Sequence, residues 1–77
     1  METMVLDLDV RKIPPQQRNP EVVFRAWDAL ETGQTLRIIN DHDPSPLRHA
    51  FEATRKGHYE WVVEQSGQDW FVHIKKI

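Results

Sequence analysis

Asn19-Pro20-Glu21-Val22-Val23-Phe24-Arg25-Ala26-Trp27-Asp28-Ala29-Leu30-Glu31-Thr32-Gly33, followed almost at once by Thr35-Leu36-Arg37-Ile38-Ile39-Asn40, decides the fold. Asn19 suits a helix cap, because its side chain can accept a backbone N–H that has no partner inside the helix. Pro20 fits the first helical position, and Glu21 sits at the positive end of the helix dipole. Val23, Ala26, Trp27 and Leu30 then fall at i, i+3, i+4 and i+7, a single apolar stripe. Gly33 supplies the exit. From Thr35 to Asn40 the period changes to two, with Leu36 and Ile38 expected to face the helices and Arg37 and Ile39 to face away.

Upstream, Val5 to Val10 reads as a strand, since Leu6, Leu8 and Val10 alternate with Asp7 and Asp9. The stretch Arg11-Lys12-Ile13-Pro14-Pro15-Gln16-Gln17-Arg18 turns the chain, because Pro-Pro cannot donate to a ladder and disfavours helix before it. A strand, a helix and a strand in this order make a right-handed crossover, so the first two strands should be parallel. Downstream, a second helix starts within Asp43-Pro44-Ser45-Pro46. Ser45 can cap it with Pro46 first, or Asp43 can cap it with Pro44 first. Leu47, Ala50, Phe51 and Thr54 repeat the stripe, and Gly57 ends it. Tyr59 to Gln65 and Trp70 to Lys76 are the last strands, joined around Ser66-Gly67-Gln68-Asp69 as an antiparallel hairpin. Tyr59, Trp61 and Val63 share one face, as do Trp70, Val72 and Ile74.

The expected architecture is therefore α/β, an α+β two-layer sandwich of order β-α-β-α-β-β. Its four-stranded mixed sheet carries both helices on one face, and the other face stays open. A chain of 77 residues can build one core, so residues 1–77 are read as a single domain. Three Trp, three Phe and one Tyr should carry much of that core.

Composition excludes several chemistries. The chain has no cysteine, which removes disulfides, thiolate nucleophiles, iron–sulfur clusters and Cys-based zinc sites. Its net charge of −2 offers no basic face for a phosphate backbone, so nucleic acid is not expected as a partner. Arg55-Lys56 and Lys75-Lys76 are only small basic spots. Met1-Glu2-Thr3-Met4-Val5-Leu6-Asp7 lacks the basic start and long apolar run of a secretory signal. Runs such as Val22-Val23-Phe24 are too short to span a bilayer. The expected setting is cytoplasmic, with no membrane partner.

Several strings together resemble a known family. Leu8-Asp9-Val10-Arg11, the Pro14-Pro15 turn, Asn40-Asp41-His42-Asp43-Pro44 followed by Pro46-Leu47, and Phe51-Glu52 look like the bacterial family called domain of unknown function 2249 (DUF2249). The likeness covers nearly the whole chain, and the Asn-Asp-His-Asp-Pro string is its most specific part. That family resembles in turn the TusA/SirA-like sulfur-carrier fold, whose first strand also ends in Leu-Asp-x-Arg. The resemblance implies the same two-layer sandwich. It does not bring the sulfur chemistry, because the carriers place a Cys-Pro pair where this chain has Pro14-Pro15-Gln16. Relatives of the family often lie beside hemerythrin-like or cupin metalloproteins in anaerobic or nitrogen-oxide respiration. An accessory role beside such a protein is what the likeness implies.

Candidate sites follow from topology. In open α/β sheets ligands favour the carboxyl ends of parallel strands, near helix N-termini. Arg11 and Arg18 sit in one such connection and Asn40, Asp41, His42 and Asp43 in the other. Arg11, Asn40, Asp41, His42 and Asp43 are thus the expected ligand or partner edge, with a guanidinium converging on an imidazole flanked by acids. The competing reading makes the same residues local structure: Asp43 or Ser45 as a cap, Asn40 and Asp41 as turn acceptors, Arg11 paired with an acid. On the open face, Ile39, Val62, Phe71 and His73 form the expected docking patch among charges. His42, His49, His58 and His73 show no metal-ligand spacing, so neither a metal nor another cofactor is expected. Ser45 and Ser66 sit in no nucleophile elbow, and there is no phosphate loop or dinucleotide fingerprint. No catalytic residue is assigned. The expected function is a non-catalytic interaction or ligand-sensing module. The alternative is a metal- or redox-linked accessory protein in which His42, with Asp41 or Asp43, binds an ion.

Overall fold

A computed structural model describes residues 4–77; the Met1-Glu2-Thr3 part of the N-terminal stretch examined for an export signal lies outside them. The elements are β1 (Val5–Asp9), α1 (Pro20–Asp28), β2 (Thr35–Asn40), α2 (Ser45–Thr54), β3 (Tyr59–Ser66) and β4 (Asp69–Lys76). They build a four-stranded sheet of order β1-β2-β4-β3. β1 runs parallel to β2, with Leu6 opposite Leu36 and Leu8 opposite Ile38. β4 pairs antiparallel with both β2 and β3, placing Val72 between Ile38 and Val63. The mixed sheet and the two helices are the α+β class that the periodicities imply. No described helix is long and apolar enough to cross a membrane.

The chain departs from the expected boundaries where local hydrogen bonds outcompete the ladder. β1 stops at Asp9, one residue early, and Val10 enters a 3-10 turn (Val10–Lys12). The Asp9 carboxylate accepts the Arg11 N–H at 3.1 Å, a short-range bond that bends the backbone out of the sheet. A second 3-10 turn (Pro15–Gln17) completes the connection around Pro14-Pro15. α1 starts as its sequence dictates, with Asn19 Oδ1 accepting the Val22 N–H at 3.3 Å. At α2 the start falls between the two candidates: Pro44 takes the cap position, Ser45 is the first helical residue, and no side chain caps the helix. Ser45 is a donor, its N–H and hydroxyl both going to Asp43 Oδ1 (2.8 and 2.6 Å). The Pro44 carbonyl accepts the first helical bond, from the Arg48 N–H at 3.1 Å. In the hairpin, Gly67 has φ of 61° and Gln68 does not share the positive sign, so the two-residue turn needs glycine first.

Both helices pack on one sheet face. The core joins Val23, Trp27 and Leu30 from the α1 segment with Phe51 from α2, over Leu36, Ile38, Val72 and Ile74, with Val10 at its end. Phe51 is fully buried, and its ring lies 4.8 to 6.0 Å from those of Phe24, Trp27, Tyr59 and Trp61. The aromatics thus carry the core except for Trp70 and Phe71, which stay half-buried outside it. Leu6 has helix-facing parity yet is 38% exposed, since it sits on the edge strand. The C-terminal ends of the helices are tied together. Arg55 stacks on Phe24 at 3.9 Å and donates to Asp28, while the Lys76 amine donates to the Asp28 and Leu30 carbonyls. That amine gives the Asp28 carbonyl one of the partners a helix C-terminus lacks.

Candidate functional site

Because β1 and β2 are parallel neighbours, their C-terminal ends lie side by side and both strand-to-helix connections leave from one end of the sheet. The Arg11 corner and the His42 corner therefore share that end. Within it the two arginines part company. Arg11 is held by acids: Nε and NH2 donate to Asp9 at 2.9 and 2.8 Å, and NH1 donates to Asp69 at 3.0 Å. Asp9 and Asp69 share the parity of Ile39 and Phe71, so Arg11 belongs to the open-face side. The hydrogen bond from Arg11 holds the Asp9 carboxyl down at about 2, against an ordinary 3.8. The expected meeting of the Arg11 guanidinium with the imidazole gives way to this pairing with two acids.

Arg18 takes the place expected of Arg11. Its Nε donates to the Ile13 carbonyl (2.7 Å) and its NH2 to the Arg11 carbonyl (3.1 Å), which fixes the side chain across the 3-10 turns. NH1 has only long contacts of 3.4 Å to both Asp41 oxygens. Asp41 in turn lies 2.9 Å from His42 Nδ1, and its carboxyl is lowered by that hydrogen bond first and by the Arg18 charge second. Asp43 is occupied with Ser45, whose hydroxyl and N–H hold its carboxyl low.

Asn40 ends β2 on the same parity as Leu36 and Ile38, so it points inward. At 6% exposure it is the one buried polar residue among the described residues. Its Oδ1 accepts the Asp41 N–H at 3.0 Å; its amide nitrogen makes no hydrogen bond among the described residues. Asn40, Arg18 and His42 border a cleft of about 220 Å³ between the sheet end and the starts of the two helices. Val10, Ile13, Val23 and Leu47 are among its apolar walls, Asn19 and Pro20 bring the start of α1, and Pro46 that of α2. Neither Asp nor Glu lines it.

Of the edge residues singled out from sequence, Asn40 and His42 border the cleft; Asp41 sits behind them as the partner of His42, and Asp43 accepts from the Ser45 N–H and hydroxyl in the turn before α2. Sequence reasoning missed the apolar walls. Val10 and Val23 read there only as strand and helix core, and nothing in their period signals that a cleft opens beside them. Among the described residues, no three His, Cys, Asp or Glu side chains are grouped to hold a metal ion.

The docking patch on the open face is ordered by the register. Ile39 lies directly opposite Phe71, and Val62 opposite His73. Val62 is 55% exposed, whereas Ile39, Phe71 and His73 are half-buried. Around them Asp7 pairs with Arg37 at 2.8 Å and Asp9 with Arg11.

Neither the curated proteins nor the solved structures include a match to this chain. A family model does match: the family described as an uncharacterized conserved protein (DUF2249) aligns with residues 7–76. That span takes in all six elements but the first two residues of β1, and both corners of the cleft, and so the chain belongs to the DUF2249 family.

Proposed function

We propose that this domain is a non-catalytic binding module that takes a small ligand in the cleft at the C-terminal ends of β1 and β2. The observation that carries the reading is the cleft itself, an apolar recess at the strand ends to which the Asn40 side chain and the Arg18 guanidinium bring polar groups. An apolar pocket with a few convergent polar groups is the usual form of a small-molecule site, and this one lies below the ~300–1,000 Å³ of drug-sized sites. The strand-end position is where open α/β sheets place ligands. The TusA/SirA-like layout, the bacterial cytoplasmic setting and the accessory role beside a hemerythrin-like or cupin protein belong to the same reading, supported by the sequence resemblance.

The alternative, an ion held by His42 with Asp41 or Asp43, has weaker support. Asp43 is occupied with Ser45, and Asp41 with His42 and Arg18. The discriminating experiment is a residue-resolved NMR titration with a fragment collection and, separately, with zinc and iron(II). Saturable shifts at Val10, Asn40 and Leu47 with fragments are expected. Stoichiometric metal uptake lost in His42→Ala, with no fragment response at the cleft, would reverse the choice.

A further inference from the structure

The polar groups around the cleft are of one kind. The chain carries twelve acids against ten Lys and Arg, yet no acid lines the cleft and one guanidinium does. Both helices point their N-terminal, positive dipole ends toward it. The Asn40 amide nitrogen, which makes no hydrogen bond among the described residues, adds a donor, and Arg18 NH1, held only by 3.4 Å contacts to Asp41, adds a second. The polar side chains lining the cleft are a guanidinium, two amides and the His42 imidazole, and the Asp41 carboxylate that engages His42 Nδ1 and approaches Arg18 NH1 does not itself line it.

The donors are few, and that narrows the anion. Phosphate at a helix start is held by several free backbone N–H groups. Here Pro20, Pro44 and Pro46 have none. The Val22 N–H is taken by Asn19 and the Ser45 N–H by Asp43, which leaves only the Glu21 N–H at one start and the Leu47 N–H at the other. One guanidinium among apolar walls suits a singly charged group, two oxygens on one carbon. Resting on the cleft reading above, we propose that the ligand is a small monocarboxylate with a compact apolar body. Its carboxylate accepts from the Asn40 amide nitrogen and Arg18 NH1, and its body lies against Val10, Val23 and Leu47.

The test uses the full chain and four probes: benzoate, benzamide, benzylamine and inorganic phosphate, each titrated into ¹⁵N-labelled protein. Benzoate is expected to give saturable shifts at the Asn40 side-chain amide, Val10 and Leu47, and to bind about tenfold tighter than benzamide, the difference between a charged and a neutral acceptor. Benzylamine and phosphate should leave those signals unmoved. In Asn40→Asp the acceptor for the Asp41 N–H is kept while the donor is replaced by a negative charge that repels a carboxylate; benzoate shifts at the cleft should vanish while the remaining spectrum stays native. The ranking on the unaltered protein stands even if that variant unfolds. Equal or tighter binding of benzamide, benzylamine or phosphate at the same residues would overturn the carboxylate assignment and leave the cleft as a site. No response at the cleft to any of the four, nor to the fragment collection, would overturn both.

Discussion

On the open face of the sheet Asp7 meets Arg37 and Arg11 is held between Asp9 and Asp69; on the other face, at the cleft, the amide nitrogen of Asn40 has no protein partner. Both regions are built by alternate residues of the same strands. The open face balances its charges at close range, in water, around the Ile39–Phe71 contact. The cleft holds fewer polar groups, set among apolar walls, and its Asn40 amide nitrogen makes no protein hydrogen bond. An exposed pair contributes little to stability and asks for no partner. A donor without a protein partner beside apolar walls is available to whatever enters. The difference teaches where specificity resides: in the few polar groups that the fold does not itself complete.

The hardest test of the comparison removes the same ring from each face. Phe51→Ala deletes a fully buried side chain that touches four other aromatic rings, and should cost ~3–5 kcal/mol. For a domain with a total stability of about 5–15 kcal/mol, that approaches unfolding. Phe71→Ala on the open face should cost about 1 kcal/mol or less. Urea midpoints of the two variants measure both. Similar losses would mean that the open face is as much a core as the covered one.

Next in size is Asn40→Ala, which removes the acceptor of the Asp41 N–H as well as the cleft donor. A loss of about 1–3 kcal/mol is expected, from leaving a part-buried N–H unmatched. Asn40→Asp retains the acceptor, so the two variants separate the turn from the cleft. Smaller again is Arg37→Ala. Its pair with Asp7 leaves both side chains well over a third exposed, and ~0–1 kcal/mol is the expected change in the same urea assay.

These residues also show how far the sequence carries. β2 could be bounded correctly at Thr35 and Asn40 because its alternation runs without interruption, and that same parity turns Asn40 inward beside Leu36 and Ile38. Alternation likewise places Ile39, Val62, Phe71 and His73 on one face. Their adjacency was not legible, since it depends on β4 lying between β2 and β3. The choice between Arg11 and Arg18 was not legible either. It is made by two 3-10 turns, which have no hydrophobic period to read, and by a hydrogen bond between Asp9 and Arg11 that ends the strand one residue early. The cleft is a gap between two helix starts, and a gap leaves no pattern in the residues around it.

The smallest expected effect reads the open-face charges through pH. Asp9 has a folded pKa of about 2 against an ordinary 3.8, held down chiefly by its hydrogen bond from Arg11. A carboxyl depressed in this way binds its proton more weakly when folded than when unfolded. Its contribution is therefore complete above the unfolded value, near 4, and is lost as pH falls through the folded value near 2. Asp28, Asp41 and Asp43 are lowered as well, by Arg55, His42 and Ser45 respectively, and their contributions decline on the same side. Stability from these four should be level between pH 7 and pH 5 and fall below pH 4. Arg11→Gln frees Asp9, so its urea midpoint should fall less steeply between pH 4 and pH 2 than that of the unaltered chain. Ser45→Ala acts on Asp43 at the edge of the cleft and should flatten the same arm by a separate, additive step, because Asp9 and Asp43 share no partner. If the two substitutions together flattened the profile no further than either alone, the open face and the cleft edge would be one coupled network, and the division between them would have to be redrawn.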